Sequence, residues 1–214
     1  MRLAPEGNRI ILPGLMILAM TLITDQYVPS PWLRGLAIVL LAYVLFCFNF
    51  FRDPLRLVPE NENVILAPAD GKIVRIEKVD DPEVGPNAVL VSIFLNVFNV
   101  HTNRMPCRGE IKSVDYRKGK FLAAFDHRAS DENEQSDIVI STEQGIVRVK
   151  QIAGLIARRI FCYLHPGDTV GRGDRFGYIM FGSRTDIFLP EGATLFIQLG
   201  DKVIGGETIL GEWS

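Results

Sequence analysis

A serine that directly follows a glycine between two strand-like apolar runs can turn on its own backbone. Gly182-Ser183 in Phe176-Gly-Tyr-Ile-Met-Phe-Gly-Ser-Arg-Thr-Asp-Ile-Phe-Leu-Pro190 is such a step. Gly182 has no Cβ to block the approach of the Ser183 hydroxyl to the preceding carbonyl carbon, or to restrict φ. The peptide bond would become an ester. Elimination across Cα and Cβ of Ser183 would then release the upstream chain and leave a dehydroalanine, which hydrolyses to a pyruvoyl group on the new N-terminus. A ketone of this kind condenses with an amine to a Schiff base and accepts electrons as CO2 leaves, the role otherwise filled by a bound pyridoxal cofactor. Taken alone a Gly-Ser dipeptide marks a turn or bulge, so the reading rests on the residues around it.

A serine hydroxyl needs a base and an oxyanion stabiliser, and the chain has three histidines. His101, in Asn99-Val-His-Thr-Asn-Arg-Met-Pro106, follows a strand-like run that ends near Leu95, as a base on a sheet rim would. His165 precedes Pro166-Gly167 and reads as a turn residue, while His127 lies in the polar segment Asp126 to Glu134 and reads as a solvated surface side chain, or as one that a loop over the site brings inward. Asp70 in Pro68-Ala-Asp-Gly71 is, by itself, a turn residue. Arg104, Arg184 and Arg158 or Arg159 carry guanidinium forks that match phosphate or carboxylate. Phe94, Phe98 and Phe121 read as core side chains or as walls of a pocket, the core being the simpler reading.

Four segments taken together, Arg175 to Asp186, Ala67-Pro-Ala-Asp-Gly71, Phe98 to Pro106 and Gly167 to Asp174, resemble phosphatidylserine decarboxylase proenzymes of the short bacterial and archaeal branch. The resemblance runs from about Phe51 to the end of the chain. It implies self-cleavage between Gly182 and Ser183, a pyruvoyl cofactor made from Ser183 with neither pyridoxal phosphate nor metal, and decarboxylation of phosphatidylserine to phosphatidylethanolamine. In the long branch an Asp of a Pro-x-Asp-Gly motif and a His form a relay with the serine, and a second His serves decarboxylation. Asp70 matches the Asp. The His-x-x-His-Met-Pro pattern appears here as His101-Thr-Asn-Arg104-Met-Pro, so the decarboxylation His is matched by His101 and Arg104 stands where the relay His would be. Arginine stays protonated and cannot serve as the base. The resemblance therefore leaves His101 with both jobs, Asp70 orienting it or polarising the scissile turn, and Arg184 and Arg104 as substrate-binding candidates.

Around these residues the chain divides by composition, with a membrane-associated part expected over 1–54 and a catalytic part over 55–214. Two apolar runs, Ile10 to Ile23 and Leu33 to Phe51, open it; the second is close to the roughly 20 residues that span a bilayer. Thr24-Asp-Gln-Tyr-Val-Pro-Ser-Pro31 reads as a turn rather than a signal cleavage site, which predicts a membrane helical hairpin, with the short first run leaving a re-entrant pair open. Arg2 and Arg9 before the first run and Arg52 and Arg56 after the second, against Asp25 and Arg34 between them, predict both ends and the catalytic part on the cytoplasmic side of the cell membrane.

After Pro54 short apolar runs alternate with Gly, Pro and Asp, from Val64 to Ala67 through Thr194 to Leu199, and predict a mainly β, antiparallel barrel-sandwich. Phe121 to Glu134 is a helix or a loop. Gly167-Asp-Thr-Val-Gly-Arg-Gly-Asp-Arg-Phe176 recurs 33 residues later as Gly200-Asp-Lys-Val-Ile-Gly-Gly-Glu-Thr-Ile209, and Asp70-Gly-Lys-Ile and Arg108-Gly-Glu-Ile form a looser pair. These echoes, shaped like the hairpin corners of biotinyl and lipoyl domains, predict approximate internal symmetry.

A net charge of −2 and the lack of a basic run interleaved with aromatics argue against nucleic acid as a partner. Cys47, Cys107 and Cys162 make neither a disulfide framework nor a metal knuckle, and fit a reducing compartment. The expected partners are phosphatidylserine, the membrane and each cleavage fragment for the other; a homo-oligomer stays open. A non-catalytic membrane-tethered adaptor of biotinyl or lipoyl type is the competing reading, although the Gly182-Ser183-Arg184 turn has no carrier lysine. A pyruvoyl decarboxylase of another amino acid is a further alternative, and the N-terminal hairpin argues against it. A metallopeptidase lacks its His-x-His pair.

Overall fold

A computed structural model describes residues 2–119, 133–154, 159–180 and 182–213. The chain divides into two units, Met1–Leu55 and Arg56–Ser214. In the first, β1 (Arg2–Leu3) precedes α1 (Asn8–Tyr27) and α2 (Pro31–Phe50), and β2 (Arg52–Asp53) returns antiparallel to β1. Each helix has 20 residues, about 30 Å at 1.5 Å per residue, enough to cross a bilayer core. Both are long and apolar enough for such a span. Their buried residues follow helical spacing: Ile11, Gly14, Leu18 and Thr21 on α1, and Ala37, Val44, Cys47 and Phe50 on α2. At Gly14 a Cβ would stand 3.4 Å from Val44, so a small residue lets the two helices approach closely. Outward they show more apolar side chains, among them Leu12, Met16, Ile17, Ile38, Val39 and Leu45.

Between the helices the chain differs from its sequence reading. α1 runs on through Thr24-Asp-Gln-Tyr27, and only 28–30 remain as the turn. Asp25 makes the short link work: its carboxylate accepts the Ser30 N–H at 2.9 Å and the Arg34 Nε–H at 3.1 Å, and Pro31 starts α2 at a position where a missing N–H costs nothing.

The second unit is mainly β and antiparallel throughout, as its alternating pattern predicts. Its strands are β3 (Val64–Leu66), β4 (Gly71–Asp81), β5 (Gly85–Leu95), β6 (Thr102–Arg104), β7 (Gly109–Arg117), β8 (Gln135–Thr142), β9 (Gly145–Ala153), β10 (Ile160–Cys162), β11 (Thr169–Val170), β12 (Arg175–Ile179), β13 (Ser183–Leu189), β14 (Thr194–Leu195), β15 (Lys202–Val203) and β16 (Ile209–Glu212). One curled sheet runs β11-β7-β8-β9-β13-β5-β4-β15, and two smaller sheets run β10-β12-β6 and β14-β16-β3. Of the segment Phe121 to Glu134, only Asn133 and Glu134 lie among the described residues.

The internal echo is present in the hydrogen bonding. Gly167 N–H donates to Ile111 O at 2.8 Å and Gly200 N–H to Ile73 O at 2.9 Å, and each carbonyl that follows them, Asp168 O and Asp201 O, accepts the return bond from Ile111 or Ile73. Asp168 and Asp201 each close their own turn through Oδ2, on the N–H of His165 and Gln198, at 2.7 Å in both copies. Gly173 and Gly206 share a φ of +76° and donate to Met105 O and Ala67 O at 2.9 Å. In this correspondence Asp70 occupies the place that Arg108 takes in the second copy.

Side chains alternate across each strand, and the inner row is apolar along most of its length. Val89, Val91, Ile93 and Leu95 of β5, Ile138 and Ile140 of β8, Val147 and Val149 of β9, and Ile187 and Leu189 of β13 form the core with Phe176, Leu210 and Trp213. Cys107 belongs to the same core, and burial pushes its thiol up to about 12. At pH 8 only about one part in ten thousand would be thiolate. Iodoacetamide at pH 8 is therefore expected to leave Cys107 unmodified in the folded chain and to label it only after denaturation, which peptide mass mapping would check. Rapid labelling without denaturant would contradict this packing.

Candidate active site

At one end of the sheet the inner row turns polar. β13 continues from Leu189 and Ile187 to Thr185 and Ser183, and β9 from Val147 and Val149 to Gln151 and Ala153. The apolar period alone starts this strand at Asp186, but the ladder extends it: Ser183 lies opposite Leu95 of β5 on one side and Ala153 of β9 on the other. Pairing on both sides holds a polar Ser-Arg-Thr run in strand form. All seven residues of β13 are buried.

Ser183 is 0% exposed, and among the described residues its Oγ meets no hydrogen-bond partner. A buried hydroxyl left in this way costs about 1–3 kcal/mol; those of Ser92, Thr102 and Ser136 share that state, and Ser183 differs from them in following Gly182. Gly182 turns into the strand at φ +69°, a left-handed conformation that glycine adopts without strain, and the space where a Cβ would stand is open. The sequence expectation of a bend at the Gly182-Ser183 step describes this geometry.

His101 sits just ahead of β6, 0% exposed. Its Nε2 lies 3.3 Å from the Gly182 nitrogen and its Nδ1 lies 3.0 Å from Asn99 O. The Gly182 N–H can only donate, so Nε2 is the acceptor. Nδ1 then carries the hydrogen and donates to the Asn99 carbonyl. In this neutral tautomer the unprotonated nitrogen faces the residue whose carbonyl precedes Ser183. Ile179 N–H closes on His101 O at 3.2 Å and fixes the segment to β12.

Asp70 stands at the foot of β4. Lys72 pairs with Phe94, and Phe94 with Arg184, so the start of β4, the end of β5 and the start of β13 share one end of the sheet. The Asp70 carboxylate accepts two hydrogen bonds from Arg56 Nη2, at 2.7 and 2.9 Å, and one from the Gly205 N–H at 2.9 Å. In the sequence Arg56 stands only as a charge flanking the second apolar run. Its link to Asp70 crosses 14 residues of irregular chain and has no periodic signature.

The arginine candidates are placed differently. Arg184, 2% exposed, alternates to the opposite face of β13 from Ser183 and pairs with Asp186, Nε to Oδ1 at 2.9 Å and Nη2 to Oδ2 at 3.1 Å. On that face Arg148 bonds Asp137 and Asp81, these acids hold its guanidinium well above the ordinary range, and burial together with Arg148 lowers Lys150. Arg104 Nη1 donates to Gly173 O at 3.1 Å. Arg159 is exposed, and its carbonyl accepts the Met180 N–H at 3.1 Å, two residues before Gly182. Arg158, His127 and Phe121 lie outside the described residues. His165 is an exposed turn residue as read. Neither Phe94 nor Phe98 fills the core. Phe94 falls on the outer side of β5, and Phe98 is 67% exposed in the loop after it.

The inner polar layer also holds residues that the sequence reading missed. Asn103 Nδ2 donates to Thr185 Oγ1 at 3.1 Å, and Gln151 Nε2 donates to Asn103 Oδ1 at 2.8 Å and to Phe161 O at 3.4 Å. The available signal was the interruption of the apolar row of β9 by Gln151. Gly177 makes room for that amide, since a Cβ there would lie 2.5 Å from Gln151 Nε2.

Against known proteins, a family model described as phosphatidylserine decarboxylase matches residues 43–211. The chain belongs to the phosphatidylserine decarboxylase family. A phosphatidylserine decarboxylase proenzyme of Chlorobaculum tepidum is 42% identical over 212 residues, covering 99% of this chain and 98% of the relative. One of Nitrosomonas europaea is 50% identical over 183 residues, 85% and 84% of the two chains. One of Geobacter metallireducens is 42% identical over 210 residues, 98% and 95%. Family membership makes the chain an enzyme of the decarboxylase class and sets the non-catalytic adaptor aside.

Proposed function

We propose that the chain is a membrane-associated zymogen that cuts itself between Gly182 and Ser183 and then decarboxylates phosphatidylserine to phosphatidylethanolamine. The observation that carries this reading is the buried, unpartnered Ser183 hydroxyl next to a left-handed glycine whose N–H meets the unprotonated nitrogen of His101.

In the self-cleavage, His101 Nε2 leaves the Gly182 N–H and takes the Ser183 Oγ proton while Oγ bonds to the Gly182 carbonyl carbon. As the C–N bond breaks, His101 returns the proton to the departing Ser183 nitrogen. The product is an ester, isomeric with the starting peptide. Loss of the Ser183 Cα proton and cleavage of Cβ–Oγ then give a carboxylate on Gly182 and dehydroalanine at 183; one water enters and one ammonia leaves to form the pyruvoyl. Asp70, held by Arg56 and Gly205 at the same end of the sheet, is the residue that matches the relay Asp.

The pyruvoyl, when formed, supplies an electrophilic ketone that joins the substrate amine and takes up the electron pair released with CO2. Ser183 is the residue from which it would form, next to the open space where a Cβ of Gly182 would stand. His101 is suited to hold a proton for the carbon that loses CO2, and Arg159 is a candidate for the phosphate. The fragment beginning at 183 stays bound, because β13 is laddered to β5 and β9 of the other fragment on its two edges. The apolar helices tether the chain to the membrane in which the lipid resides, with Arg2, Arg9, Arg52 and Arg56 at the ends of the hairpin on the cytoplasmic side.

Carboxyl-labelled phosphatidylserine in mixed detergent micelles tests the substrate. Release of labelled CO2 from the lipid, with free serine left intact, is the expected outcome. Equal turnover of free serine would point to a soluble amino acid instead.

A further inference from the structure

We propose that the buried chain Gln151–Asn103–Thr185 is a positioning device that sets His101 against the Gly182-Ser183 bond for self-cleavage; this rests on the self-processing reading above. Two segments face each other in the site, the one that carries His101 and strand β13. Two cross-links join them. His101 meets Gly182 at 3.3 Å, and Asn103, two residues after His101, meets Thr185, two residues after Ser183, at 3.1 Å. The second rung lies two residues further along the His101 segment and three residues beyond Gly182 on the facing one.

Gln151 fixes that second rung. It lies opposite Thr185 in the β9–β13 register, and its two amide hydrogens reach Asn103 Oδ1 and the Phe161 carbonyl of β10. The three side chains thus join the large sheet to both β6 and β10 of the small sheet. All three residues are 0% exposed. The same row carries Ile93, and the next layer inward is Val149 and Ile187. Apolar side chains would pack as a simple continuation of that core, whereas buried amides are stable only when their partners stay in place. What polar groups supply here is a fixed spacing. Self-cleavage is sensitive to spacing, because a misplacement of about 1 Å can cost about 10²-fold in rate.

The test is the self-cleavage rate of the full chain made as a labelled pulse in a cell-free system with lipid vesicles. Wild type is compared with Thr185→Val, Asn103→Leu and Thr185→Ser across pH. Stability is read as the thermal midpoint of each substitution in a Ser183→Ala background, so that every sample is uncut. Thr185→Val and Asn103→Leu are expected to slow cleavage about 10- to 100-fold, to lower the midpoint by only a few degrees because each leaves a buried amide group unpaired, and to keep the acid-side decline of the pH profile that His101 imposes. Thr185→Ser restores the hydroxyl and most of the rate. Thr185→Val cleaving at the wild-type rate would overturn the proposal, as would a slow variant whose midpoint falls in step and which Thr185→Ser does not rescue. If wild type itself stays uncut, the self-processing reading fails and the proposal with it, an outcome distinct from the other two.

Discussion

Ser183→Ala is expected to abolish decarboxylation of phosphatidylserine and to leave a single uncut chain. Alanine fits the buried site without new contacts, since among the described residues the Ser183 hydroxyl has no hydrogen bond to lose. Removal of a buried, unpaired hydroxyl is neutral or favourable for folding, so the variant should melt at or above the wild-type temperature. Activity falls to the uncatalysed level, a loss of at least about 10⁶-fold, because no other group on the chain would supply the ketone. Combining the melting curve with the lipid assay separates a chemical loss from a folding one. Retained activity in a folded Ser183→Ala protein would show that the electrophile lies elsewhere.

His101→Ala has the second largest expected effect. General-base assistance contributes about 10²- to 10⁴-fold, so self-cleavage should slow by that range, and whatever cleaved enzyme accumulates should decarboxylate slowly too if His101 also returns the proton. In the wild type the cleavage rate falls on the acid side, where the imidazole takes up a proton and can no longer accept one from Ser183. In the variant that limb disappears and the residual rate is flat there. His101→Gln retains a side-chain acceptor toward Gly182 without a titratable base, so it should behave as Ala does in rate. Cleavage of either variant at the wild-type rate would move the base to another residue, with Asp70 first in line.

The sequence was most informative where one residue type is forced by its backbone. Gly182 takes a φ of +69° that favours glycine, and Gly167, Gly173, Gly200 and Gly206 of the two echoed corners do so for the same reason. The echo could be read in advance because each copy repeats the same Asp-closed turn. The two apolar helices were likewise visible, although the Asp25 link between them is tighter than a Pro-containing segment suggests. Harder to read was β13, where hydrophobic period misses Ser183, Arg184 and Thr185, since pairing on both edges rather than side-chain pattern makes them strand. Arg184 was misleading for a related reason: adjacency in sequence to Ser183 becomes opposition across the strand, where Asp186 takes up its charge. Gln151, Asn103 and Arg56 come into the site through long-range hydrogen bonds, and nothing in their neighbours announces those partners.

Self-processing at Gly182-Ser183 is tested most directly by the intact mass of the purified protein under denaturing conditions. Two fragments are expected, one ending at Gly182 with an ordinary carboxylate and one corresponding to 183–214, lighter than its encoded mass by one ammonia. A single mass equal to the full encoded chain, unchanged after incubation with phosphatidylserine vesicles, would contradict the account.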